Sequence, residues 1–107
     1  MTQNNSTKEI ADAFNRAMNE LSEKSIKDGY FPHYFMQMVG QYGGVETAKR
    51  LLAKNDTQSG LTRLWELNLL DQSMEAHVLQ PRFQCLFTEE ELAEARKRLT
   101  DRGFIVQ

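Results

Sequence analysis

The residues of this chain equipped for chemistry are few and scattered. They are one cysteine (Cys85), two histidines (His33 and His77), and a carboxylate pair at helix spacing (Asp71 and Glu75). Metal ligation needs several imidazole or thiolate groups brought together, and no two of His33, His77 and Cys85 stand at ligand spacing. No metal and no other cofactor is expected. Nucleophilic catalysis needs a nucleophile, a base and an orienting group, and no serine stands in a strand–turn–helix elbow. Cys85, between Gln84 and Leu86, lies in an apolar stretch, where a lone thiol is a small, buried, inert hydrophobe. Asp71 and Glu75 would neighbour each other on one helix face, as general acid–base chemistry requires. The plainer reading makes Asp71 a helix cap and Glu75 a solvated or salt-bridged side chain. Gly43-Gly44 opens a helix, where backbone amides can hold phosphate. The Gly-Lys-Ser/Thr ending of a phosphate loop is absent, so the pair reads as a turn. These residues predict a protein that is not an enzyme.

Two other groups carry binding chemistry. Lys49, Arg50, Lys54 and Arg63 surround the polar stretch 54–60, and the helices on either side of it, over 45–67, imitate a helix-turn-helix. This is the nucleic-acid-binding alternative. Against it, the motif's turn is about three to four residues and this connection is longer. The 13 basic and 15 acidic residues leave a net charge of −2, which provides no electrostatic funnel toward phosphate. The second group is apolar: Tyr30, Phe31, Tyr34, Phe35, Met36, Met38 and Tyr42 crowd one short segment. One helix buries one stripe. Placing Phe35, Met38, Val39 and Tyr42 inward leaves Phe31, Tyr34 and Met36 toward solvent or the first helix. Methionine and tyrosine suit adaptable interfaces, whereas a central helix would bury all of these residues, and both arrangements stay open. On the interface reading, Tyr30, Phe31, Tyr34 and Met36 mark a surface for a protein partner or a second copy of the chain.

The elements that must position these groups are helices. With 107 residues, 40% apolar and 26% charged, the chain has the size and composition of one globular domain. Residues 1–5 are polar and expected to fray. Ser6 and Glu9 form a capping-box pattern, followed by Ile10, Phe14, Ala17, Met18 and Leu21 at helical spacing and a stop at Gly29. Pro32 suits the first turn of a second helix. Gly43-Gly44 then permits a reversal into a third helix near 45–53, and a fourth follows near 61–67 with Asn68 as its end. Asp71 would cap a short fifth, stopped by Pro81. Thr88 and Glu91 repeat the capping box. The last helix runs near 89–102, with Gly103 capping it and Phe104 folding back on Leu99. Its glutamates come first, and Arg96, Lys97, Arg98 and Arg102 come last, an order that complements the helix dipole. No segment alternates as a strand does. The expectation is a compact all-α single domain of five to six helices over 1–107, several of them short. Trp65, Leu51, Leu52, Leu64, Phe35, Val39 and Phe87 should share its core, with the charged first and last helices as attachments.

The N-terminus shows no signal-peptide pattern, no stretch has the ~18 apolar residues of a membrane span, and a lone cysteine fits a reducing compartment. A cytoplasmic location without membrane contact is expected. The segments GGVETAKRLL (43–52), LTRLWEL (61–67), LDQSMEA (70–76) and LFTEEEL (86–92) together resemble a family of uncharacterised small bacterial helical proteins. The resemblance covers roughly 30–99 and implies a bacterial or mobile-element origin. It brings neither an activity nor site residues. The reading reached is a small cytoplasmic binding module that regulates or inhibits a protein partner, or self-associates.

Overall fold

The computed structural model describes residues 2–29, 32–54 and 59–105, with 2–6 and 59–60 described by backbone alone. Among them are six α-helices and no strand: α1 (Thr2–Lys27), α2 (His33–Tyr42), α3 (Gly44–Ala53), α4 (Ser59–Glu66), α5 (Met74–Val78) and α6 (Glu89–Thr100). Single 3-10 turns at Leu70–Gln72 and Gln84–Leu86 precede α5 and α6. The all-α single domain read from the sequence is the fold observed. At 26 residues, α1 spans about 39 Å and sets the long dimension of a body 44 × 25 × 22 Å.

Several boundaries fall where local chemistry placed them. Gly29, Gly43 and Gly103 have positive φ, each at the end of a helix. At the last of these, the Phe104 amide donates to the Leu99 carbonyl at 3.0 Å, so the chain folds back and Phe104 packs against the core. Asn68 ends α4 in the left-handed region (φ 64°), which its short polar side chain tolerates. Both hydrogen bonds of the Thr88–Glu91 capping box are formed. Two other caps differ from expectation. α1 starts at Thr2, which puts Ser6 and Glu9 inside the helix; Thr2–Asn5 holds no proline or glycine to stop it. Ser73 caps α5 in place of Asp71, its hydroxyl accepting from the Ala76 amide at 3.1 Å and donating to the Leu70 carbonyl at 2.7 Å.

The core is centred on the first helix. Phe14 and Met18 of α1 are fully buried, and the Phe14 ring meets Phe83 at 5.0 Å and Phe87 at 5.3 Å, both edge-on, as ring quadrupoles prefer. The first helix is therefore no attachment, because α2, α3, α5 and the 3-10 turn at Gln84–Leu86 pack against it. Val39, Leu51, Leu52 and Phe87 are buried in the same cluster, Phe35 packs against it, and Leu64 is buried outside it. Trp65 is the exception. It is 50% exposed, because the inward face of so short a helix is filled by Leu61 and Leu64 and the next position points away.

α3 approaches α1 closely at its own first residue. The Gly44 amide donates to the Asn15 side-chain oxygen, an orphan donor at a helix start satisfied from a neighbouring helix. A β-carbon at Gly44 would lie 2.7 Å from that oxygen and 3.0 Å from the Asn15 Cα. This contact, with the one-residue turn at Gly43, sets the angle at which α3 leaves α2.

Candidate functional site: a groove between the second and third helices

α2 and α3, joined by that turn, enclose an open cleft of about 380 Å³ lined by Tyr34, Gln37, Met38, Gln41, Tyr42, Arg50, Ala53 and Lys54. The α2 residues follow helical spacing (34, 37, 38, 41, 42), so that helix turns one continuous stripe toward the cleft, and α3 adds Arg50 and Ala53, with Lys54 just past its end. Tyr34 is 53% exposed, and Tyr42 is exposed as well. Met38 is buried beneath them. Arg50 lies over the Tyr42 ring at 4.0 Å, and its Nε donates to Glu46 at 3.0 Å. That stacking and pairing hold the guanidinium in one place. The Lys54 ammonium has no partner among the described residues.

The lower end of the α3 wall is anchored from beneath. Arg98 of α6 donates through Nη2 to the Leu51 and Lys54 carbonyls at 2.9 and 2.7 Å. Its Nη1 reaches Glu75 at 3.1 Å and its Nε reaches Glu94 at 2.7 Å. Burial pushes the Glu75 carboxyl above its ordinary value of 4.5, against the opposing pull of Arg98. On the far side of α3, Lys49 pairs with Glu91 at 2.9 Å and lies over Phe87. Partial burial raises the Glu91 carboxyl, but the Lys49 ammonium and the Thr88 amide outweigh it and hold that group below 4.5.

Of the interface residues read from the sequence, Tyr34 lines the groove, Met36 is partly buried elsewhere on α2, and Tyr30 and Phe31 lie outside the described residues. Tyr42, assigned to the core stripe, is instead exposed in the cleft. Of the basic residues, Arg50 and Lys54 line the same groove as Tyr34, whereas Lys49 is engaged with Glu91 and Arg63 pairs with Glu66 along α4 at 3.3 Å. The two sets of candidates thus converge on one surface, each through part of its members. Gln37 and Gln41 complete the groove. The sequence signal for them was the i, i+3, i+7 spacing with Tyr34, which the apolar count passed over.

The remaining chemical residues stay apart. Cys85 is exposed on the 3-10 turn before α6, not buried: Phe83 and Phe87 take the inward positions around it and leave the thiol outside. His33 is exposed at the start of α2, and His77 Nδ1 sits 2.8 Å from the Ser73 carbonyl. Asp71 is exposed, whereas Glu75 is buried, so they form no working pair. Among the described residues no group of three His, Cys, Asp or Glu gathers as a metal site, and no helix is long and apolar enough to cross a membrane. Comparison with family models, curated proteins and solved structures returns no match.

Proposed function

We propose that this chain is a small cytoplasmic protein-binding module that regulates or inhibits a partner by docking it along the α2–α3 groove. The observation that supports this is the composition of the groove. Two exposed phenols stand over a buried methionine, beside an arginine fixed by stacking and a lysine whose ammonium has no partner among the described residues. Tyrosine and arginine anchor protein interfaces more often than other residues, and an immobilised side chain loses less freedom on binding. Nucleic-acid binding draws less support, because Lys49 and Arg63 are engaged elsewhere and Arg50 keeps Glu46 beside it.

A photo-crosslinking amino acid at position 37 tests this in the host cell. A single protein adduct is expected, insensitive to nuclease and lost when Tyr34→Ala is introduced. A chain-to-chain adduct would make the partner a second copy. Adducts confined to nuclease-sensitive nucleic acid would overturn the proposal.

A further inference from the structure

We infer that the groove selects an acidic segment of its partner, an aspartate or glutamate side chain beside an apolar one, with the carboxylate seated at the Arg50–Lys54 end. This rests on the docking reading above and adds to it the chemistry of the occupant. The warrant is charge complementarity within one short surface. No lining residue is acidic, and both ionised ones are cations: Arg50 in the last turn of α3, and Lys54, the extended residue that follows the helix. The whole chain carries −2, and with Glu46 paired to Arg50 this end of the groove keeps one net positive charge on an acidic body, matched to a single carboxylate.

The donors are also arranged for a carboxylate. The Arg50 Nε is used by Glu46, and its two terminal amino groups make no hydrogen bond among the described residues. Those two groups form the fork that pairs with a planar carboxylate. The Tyr42 ring beneath holds the fork, and the Lys54 ammonium supplies a second point charge on the same lining. Tyr34 and the side-chain stem of Lys54 offer apolar surface to a neighbouring residue, and Gln37 and Gln41 present amides that can pair with an extended backbone. α2, ten residues long, spans about 15 Å, enough for about four or five residues of extended peptide. A polyphosphate fits less well, because Glu46 stands beside Arg50 and would repel the phosphates that follow the first.

Random octapeptides displayed on phage and selected on the full chain test this, with the Tyr34→Ala variant as the counter-selection. Synthetic copies of the winners are then measured by fluorescence anisotropy, beside a ten-nucleotide oligothymidylate. The expected winners carry Asp or Glu next to a leucine or aromatic residue. Lys54→Gln should weaken them about threefold and the Arg50→Gln/Lys54→Gln double variant about tenfold. Copies with the acid changed to its amide should bind the native chain and the double variant alike. Tyr34-dependent winners that are neutral or basic, or that keep their affinity for the double variant, would overturn this inference and leave protein docking standing. Failure of every peptide to depend on Tyr34, or binding of the oligothymidylate alone, would overturn both.

Discussion

Arg98 and Glu75 form an ion pair closed to solvent, 3.1 Å apart, with the arginine only 1% exposed. An isolated buried charge is strongly disfavoured, and pairing alone often fails to offset desolvation. Here the one guanidinium meets four acceptors: Glu75, Glu94, and the Leu51 and Lys54 carbonyls. Two of these are carbonyls at the end of α3, that of Leu51 also accepting from the Lys54 amide at 3.3 Å, and positive charge there meets the negative pole of the helix. The residue therefore ties α3, α5 and α6 together and fixes the lower wall of the groove.

Replacing Arg98 with methionine should lose about 3–5 kcal/mol in urea unfolding, because the Glu75 carboxyl stays buried without its cation. Arg98→Lys should lose less but not recover fully, since an ammonium cannot reproduce the fork. Stability of Arg98→Met within about 0.5 kcal/mol of the native chain would show that the pair contributes nothing.

The two shifted carboxyls predict opposite dependences on pH. Glu75, whose value is raised in the fold, binds its proton more tightly folded than unfolded. Its contribution is full below pH 4.5 and is lost as pH climbs through the folded value. Glu91, whose value is lowered, contributes fully above pH 4.5 and loses that contribution as pH falls through its folded value. Unfolding curves across pH should therefore be flatter on the acid side for Glu91→Gln. For Glu75→Gln they should be flatter from pH 4.5 upward.

How much of this was legible in the sequence follows from how local each feature is. Caps and stops were readable because Thr88 with Glu91, or Gly103 with Phe104, act within a few residues of each other. Leu51, Leu52 and Val39 were readable as core from their spacing. Arg98 was not, because its burial depends on Glu75 and on carbonyls of α3, far away along the chain. Its position, between Ala95 and Leu99 on the inward face of α6, was the one clue. The groove was half legible. Tyr34 was singled out for being apolar and Arg50 for being charged, but nothing in either list said that α2 and α3 would bring them together.

Trp65 and Leu51 separate size from burial. The indole is half exposed, so its native emission should be that of a hydrated ring, readily quenched by acrylamide. Trp65→Ala should change stability by about 0.5 kcal/mol or less. Leu51→Ala removes a buried side chain and should lose about 2–5 kcal/mol. A blue-shifted, protected emission would contradict the exposure seen here.

Gly40 and Gly44 lie one helical turn apart in sequence and should respond to alanine in opposite directions. Around Gly40, inside α2, a β-carbon would meet nothing within 4 Å. Alanine there should stabilise the helix by about 0.8–1 kcal/mol through propensity alone. At Gly44 the same methyl would press on the Asn15 side-chain oxygen and backbone, and overpacking of this kind loses about 1–3 kcal/mol. Because Gly44 sets how α3 leaves α2, its alanine variant should also weaken peptides selected on the groove, although it does not line the groove. Gly40→Ala should leave them unchanged. Melting temperatures and peptide titrations on the two variants check both halves. A Gly44→Ala protein as stable as the native chain would mean that α3 can leave α1 without loss, and the groove would then not be held by that contact.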